Sequence, residues 1–281
     1  CLPWALADIG NSWVRVACVA LLYAMLAVSL NISVGYAGLL DLGFVAFYAL
    51  GAYTYALLAS PHLWEQFPAM SEFLAPGALE STIFLPILGG LVAGLFAFLI
   101  GIPTLRLRGD YLAIVALGFG ETTRLFLNNL NAPLNITNGP QGINMIAPLQ
   151  IGPWALDQTL QIAQFEIPVL ILTYYLFLAL TAVLMVVCGN LTQSRQGRAW
   201  VALRDDPQAA QAVGISLAHT RLTAYGLGAV FGGISGGLFA SFQGFVSPES
   251  FGLMETVIIL CMVVLGGLGH AHGVLLGALL L

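Results

Sequence analysis

Three ionisable side chains lie inside long apolar runs: Asp41 in G-Y-A-G-L-L-D-L-G-F, and Glu121 and Arg124 in L-G-F-G-E-T-T-R-L-F. An unpaired carboxylate in hydrocarbon costs about 2.5 kcal/mol or more, so such a group is a candidate proton, cation or substrate site. Glu121 and Arg124 stand three apart and share a helical face, where each can neutralise the other. Two readings follow for them: an internal ion pair, or part of a substrate path in which Gly118 and Gly120 let a helix or ligand approach closely. Asp41 also has two readings. It is either a buried functional carboxylate or, if the break before it ends at Gly38, the start of a helix, where negative charge suits the positive end of the dipole.

The remaining chemistry is set by what is missing. All eight basic residues are Arg, at 15, 106, 108, 124, 195, 198, 204 and 221. Without Lys there is no G-x-x-x-x-G-K-[ST] phosphate loop and no lysine Schiff base, so a separate protein must hydrolyse any ATP that is used. No Ser/His/Asp, Cys/His or metal-ligand spacing converges, and no catalytic residue, metal or directly bound cofactor is assigned. His270 and His272, two apart, fall on different sides of a helix, as expected of loop residues and not of a metal site. Cys1, Cys18, Cys188 and Cys261 are isolated and read as small hydrophobes. The net charge of −5 includes no basic run, which argues against nucleic acid as a partner.

The elements that must position these groups are membrane spans. Hydrophobic residues make up 59% of the 281 positions and charged residues 7%, and the apolar residues come in unbroken blocks. Blocks long enough to cross the hydrocarbon run over Trp13–Ser33, Tyr36–Ala59, Thr82–Leu105, Tyr111–Leu130, Ile167–Cys188 and Leu222–Phe242. A further stretch starts at Glu255, breaks at the Gly-rich string Gly266, Gly267, Gly269 and Gly273, and resumes as G-V-L-L-G-A-L-L-L. The expectation is an all-α polytopic bundle with Gly-interrupted helices, seven spans and a fragment, in one domain over 1–281. Cys1 in place of Met and the stop at Leu281 inside an apolar run predict trimmed ends and no signal peptide.

Arg placement orients the bundle. Arg106 and Arg108 lie in one connection, and Arg195, Arg198, Arg204 and Arg221 in another, Gly189–Arg221, with two spans between them. Both therefore lie on one face, predicted to be cytoplasmic, with the Arg-free connections Ser60–Ser81 and Asn131–Glu166 outside. Arg15 is the exception, and an incomplete or re-entrant first segment would remove the conflict.

Two segments carry mechanism. The string N-I-S-V-G-Y-A-G-L-L-D-L-G-F sets Gly35, Gly38 and Gly43 beside Asn31 and Asp41 at membrane depth. This is either a broken helix lining a cavity or close packing through small residues. The second segment is the loop R-Q-G-R-A-W-V-A-L-R-D-D-P-Q-A-A-Q-A-V-G-I. There Asp206 is an N-cap, Pro207 suits the first helical position, Gln208–Val213 form a short helix and Gly214 fits a left-handed stop. Ala209, Ala210 and Ala212 leave the helix bare enough for a partner to pack on its backbone, and Arg198, Arg204 and Asp205 can supply charge pairs at the rim.

That loop resembles the E-A-A…G motif of ABC importer permeases, with Asp206, Ala209, Ala210 and Gly214 on the pattern. Over nearly its whole length the chain is similar to the LivM-type branched-chain amino acid permeases. The similarity is carried by G-Y-A-G-L-L-D-L-G-F-V-A-F-Y-A-L-G-A-Y, L-R-L-R-G-D-Y-L-A-I-V-A-L-G-F-G-E, G-P-Q-G-I, G-R-A-W-V-A-L-R-D-D and Q-G-F-V-S-P-E-S-F. The resemblance implies two ATPase subunits gripping the coupling helix, a second homologous permease, and a periplasmic binding protein, in a bacterial inner membrane. Alternating access would then run through a path near Asn31, Gly35, Gly38 and Asp41, marked by the broken-helix composition of their segment, and near Gly118, Gly120 and Glu121, marked by the intramembrane charges. The usual T-G-G-P appears as Thr137, Asn138, Gly139 and Pro140, the outer loop after it is short, and the chain ends before the family's final spans. Apolar amino acids, urea and short amides all suit a path lined by small and aliphatic groups. The rival reading is an ion-coupled secondary transporter using Asp41 or Glu121, and a membrane-embedded enzyme ranks last.

Overall fold

The computed structural model describes residues 3, 10–62, 84–105, 110–131, 135–151, 154–155, 160–162 and 165–281. Most of the 60–81 connection, together with Arg106 and Arg108, lies outside the described residues. Among those described, four helices are long and apolar enough to cross a membrane. They are α1 (Asn11–Asn31, continued by a π-helical turn over Ile32–Tyr36), α3 (Phe84–Thr104), α5 (Val169–Gln193) and α8 (Leu217–Gln243). A fifth helix of 20 residues, α4 (Asp110–Asn129), carries Asp110, Glu121 and Arg124 among its apolar residues. Three apolar helices are shorter: α2 (Phe44–Ala59), α9 (Leu253–Gly266) and α10 (Ala271–Leu280).

The short helices differ from the reading of Tyr36–Ala59 as one continuous span. Residues 37–43 are not helical, and α2 begins only at Phe44. Two local causes are visible. Gly38 has φ 66°, a left-handed conformation that a side chain resists, and the Asp41 carboxylate accepts the Gly43 N–H at 3.1 Å, closing an Asx-type turn that competes with helix. With 16 residues, α2 reaches about 24 Å. It starts inside the bundle, since Gly43 lies against the backbone of Ala116, six residues into α4.

A second helix also starts at depth. Tyr23 Oη donates to Glu255 Oε2 at 2.8 Å, which places the first turn of α9 level with a residue about 18 Å along α1. The chain reaches that point from the end of α8 through a bridge between Ile143 and Val246 and a 3₁₀ turn over Pro248–Phe251. Phe251 packs edge-on to Tyr48 of α2, ring centroids 4.9 Å apart. Helices α9 and α10 then form an antiparallel hairpin in which Gly266 meets Gly273 and Gly277 meets Met262. Its turn is the Gly-rich string read from the sequence as a break.

Helix α8 is the hub, packed on α3, α2 and α1. Its face of Gly228, Gly232, Gly233, Gly236 and Gly237 lets backbones approach: Gly233 meets Gly51 and Gly89, Gly236 meets Tyr48, and Gly237 meets Pro86. In lipid, where association gains little from hydrophobicity, such small-residue contacts supply the packing. Helix α1 and its π-helical turn run unbroken over Asn11–Tyr36, 26 residues, long and apolar enough to cross a membrane. Arg15 sits at the end opposite Arg204, where Nη2 donates to Gln243 Oε1 at 3.0 Å and the guanidinium lies 5.7 Å from the centre of the Phe242 ring. Two small antiparallel hairpins, β1–β2 (Gln150–Ile151 with Trp154–Ala155) and β3–β4 (Leu160–Ile162 with Phe165–Ile167), decorate the 131–166 connection of an otherwise helical fold.

A valine at Gly233 would have to place its Cβ 2.6 Å from Ala93 Cβ and 2.9 Å from Gly89 O. Gly233→Val is expected to destabilise the bundle by about 1–3 kcal/mol. Gly189→Ala, which meets nothing within 4 Å, is expected to leave it as stable or slightly more so. Thermal unfolding in detergent separates the two, and equal melting of both variants would contradict the packing account.

Candidate functional site

The Arg-bearing end of the bundle is built on two further helices. Helix α5 ends at Gln193, and Ser194 caps α6 (Arg195–Asp205), its Oγ accepting the Gly197 N–H at 3.2 Å. Trp200 anchors α6 beneath the bundle: its ring is fully buried and Nε1 donates to Thr223 Oγ1 on α8 at 3.2 Å. Arg221 ties the start of α8 to the end of α3, donating from Nη1 to Leu105 O at 3.2 Å.

The short helix α7 (Pro207–Ala212) follows with one residue between. That residue, Asp206, ends α6 by donating its N–H to Ala202 O at 3.1 Å. It also starts α7, Oδ1 accepting from Gln208 N at 2.8 Å and Ala209 N at 3.1 Å. Pro207 fills the first helical position, where no N–H is needed. Gly214, φ 88°, supplies the left-handed stop, and the Ile215 N–H returns to Ala210 O at 3.0 Å. Only Ala210 of this helix is buried. Ala209, Ala212 and Gly214 are exposed, and Val213, 78% exposed, adds an apolar knob to the outer face.

The charges read as a rim divide. Arg198 Nη1 donates to Gln193 O at 2.8 Å, and Asp205 lies 3.7 Å from Arg204 Nε. Arg204 itself reaches back into the bundle, where Nη1 donates to Gly35 O in the π-helical turn at 2.6 Å. Beside it, the Gly269 N–H in the α9–α10 turn donates to Asn31 Oδ1 at 3.0 Å. Gly35 must be glycine for this, because its Cβ would collide with the Asn31 amide and come within 2.6 Å of Gly269 N. A cavity lined by Val34, Gly38, Leu40, Arg204 and Leu268 opens beside the same junction. Asn31 Nδ2 stays buried without a partner there, an orphan donor of the kind that costs about 1–3 kcal/mol.

The other path candidates fall into two groups. Asp41 is 3% exposed, on the chain that dips from Gly38 to Gly43, and Gly120 lies against Gly43, so the two segments singled out from the sequence meet here. Gly118 faces open space. Glu121 and Arg124 pair at 2.9 Å, each about one-third exposed, on the flank of α4 and apart from the Asn31–Gly269 junction. Sequence reasoning passed over Glu255. Like Asp41 it is a lone acid at the head of an apolar run, and that signal alone would have marked it. The joining of two breaks by Asn31 and Arg204 left no such trace, because it brings together residues 238 and 169 positions apart.

The described residues thus form a helical bundle with four membrane-length apolar helices, two shorter helices that start at depth and a capped helix at one end. The chain belongs to the family described as branched-chain amino acid transport system / permease component, whose model matches residues 12–281. It is 40% identical, over 97% of its own length, to the high-affinity branched-chain amino acid transport system permease proteins LivM of Salmonella typhimurium and Escherichia coli. It spans 63% of the length of each of those relatives. It is also 25% identical, over 92% of its length and 76% of the relative's, to a probable branched-chain amino acid transport permease protein LivM of Methanocaldococcus jannaschii. No solved structure matches the chain.

The Asp206 carboxylate serves two backbone N–H groups of α7, so Asp206→Ala is expected to loosen the helix by about 1 kcal/mol, speeding amide exchange at Gln208 and Ala209 roughly fivefold. Hydrogen–deuterium exchange on the detergent-solubilised protein reads this directly, and unchanged protection would show that packing, not the cap, holds α7.

Proposed function

We propose that the chain is the permease subunit of an ATP-driven importer of branched-chain or related amino acids, set in a bacterial inner membrane. It would work with two ABC ATPase subunits, a second homologous permease and a periplasmic binding protein. The observation that carries this reading is α7: a six-residue helix, capped at both ends, with all but one residue presented outward. A helix that short gains little from its own hydrogen bonds, and so much capping serves a surface that must stay rigid. The bare face of Ala209, Ala212 and Val213 fits a cleft on an ATPase subunit, with Arg198 and Asp205 at its rim and Asp206, Pro207, Ala210 and Gly214 fixing its shape. Family membership and the names of the relatives support the substrate class.

In this reading the chain makes and breaks no bond, and ATP stays on the partner subunits. ATP binding closes the ATPases, α7 moves as a rigid body, and the spans reorient about a path through the interrupted helices. Asn31, Gly35, Gly38, Asp41 and Gly120 belong to the moving junction, with Gly118 and Glu121 on the neighbouring face of α4. Backbone freed from helical hydrogen bonding is tolerated at membrane depth where it lines such a path.

Replacing Pro207–Gly214 with a flexible Gly/Ser linker is expected to abolish co-purification of the ATPase subunits and ATP-dependent uptake in proteoliposomes. Retained assembly and uptake would overturn the docking reading. Uptake driven by an imposed ion gradient without ATP would instead establish a secondary transporter.

A further inference from the structure

Arg204 is two residues from the shared cap Asp206, yet its guanidinium is bonded to the far side of a helix break. Three glycines make that reach possible. A Cβ on Gly38 would stand 2.8 Å from Arg204 Cγ, one on Gly269 would stand 2.8 Å from Nη1, and one on Gly35 would block the neighbouring Asn31–Gly269 hydrogen bond. The route of the side chain is therefore carved into two separate segments, the 35–38 stretch after α1 and the 267–270 turn before α10. Gly35 O lies at a helix terminus, where carbonyls lack intrahelical donors, and Arg204 supplies one at 2.6 Å.

We propose that Arg204 is the positioning residue that links the docking helix to the paired helix breaks, so that movement of α7 is transmitted to the α1–α2 and α9–α10 junctions. The mechanics follow from the connections. Asp206 fuses α6 to α7 with no slack, and Trp200 pins α6 to α8 through Thr223. Helix α6 is thus a short lever with its pivot at Trp200 and Arg204 at the tip. The tip holds Gly35 O, and Asn31 in the preceding turn holds Gly269 N, so one displacement is felt by both breaks. The guanidinium also lines the cavity beside the junction, which gives it room to shift.

This assignment rests on the docking reading of α7, and the test is arranged so that the two fail differently. Arg204→Gln and Arg204→Lys are compared in the complete importer, assembled with its ATPases and binding protein in proteoliposomes, by reading ATPase co-purification, ATP hydrolysis and solute taken up per ATP. Arg204→Gln is expected to retain the ATPases but to transport on the order of tenfold less per ATP, the shift that loss of one charge-assisted hydrogen bond produces in a two-state element. Arg204→Lys, which keeps a charged donor, is expected to recover part of the ratio. Gly269→Ala crowds Nη1 while leaving Arg204 in place and is expected to uncouple in the same way, so the proposal remains testable if Arg204→Gln does not fold. An unchanged ratio in both Arg204→Gln and Gly269→Ala overturns the linkage. Loss of the ATPases from Arg204→Gln also overturns it, by making Arg204 a rim residue of the docking surface. If the docking reading itself is wrong, it is the Pro207–Gly214 linker variant that keeps its ATPases, whatever Arg204 does.

Discussion

Every backbone N–H and C=O within lipid must find a partner inside the protein, and a chain that interrupts its helices at depth has to supply those partners from elsewhere. Here the supply is a handful of side chains. Asp41 takes the Gly43 N–H ahead of α2, Asn31 takes the Gly269 N–H ahead of α10, and Arg204 gives to the Gly35 carbonyl. The first serves the chain ahead of a helix that starts at depth, and the other two tie together turns at the Arg-bearing end of the bundle. Because two of the three donors or acceptors belong to another segment, satisfying the backbone also fastens the breaks to each other and to the Arg-bearing end.

The rest of the bundle is organised to hold that junction still. Helix α8 brings its glycine face against α2 and α3, so the shortened α2 is clamped along its sides although it lacks a full span. Tyr48, near the start of α2, meets Phe251 in the turn that leads into α9, and Tyr23 fixes Glu255 one turn further on. The two helices that begin at depth are thereby registered against α1 and against one another. Rigid packing around two hydrogen-bonded breaks is the arrangement in which a small displacement at one end yields a discrete rearrangement and not a diffuse strain.

Much of this was legible in the residues. The apolar blocks announced the helices, the D-P-Q-A-A-Q-A-V-G pattern announced α7 with both its caps, and the Gly-rich string from Gly266 to Gly273 announced where a helix would stop. These features are local, set by side chains within a few positions of the backbone they govern. What the sequence concealed is non-local. Arg204 reads as a rim charge of the docking loop, and nothing near it in the chain points to Gly35. Continuity of Tyr36–Ala59 was misjudged because apolar content cannot distinguish a helix from an apolar loop stabilised by an Asx turn. Arg15 read as a topological anomaly until α8 brought Gln243 and Phe242 beside it.

If α7 drives the paired breaks as proposed, closure of partner ATPases displaces them together relative to the rest of the bundle. Spin labels at Leu268, in the α9–α10 turn held by Asn31, and at Leu99, exposed on α3 outside the junction, report that motion by pulsed electron–electron distance measurement in the importer proposed above. A shift of several ångströms in their separation is expected when a non-hydrolysable ATP analogue is added. A distance distribution indifferent to nucleotide, in a transporter that still takes up its substrate, would contradict it.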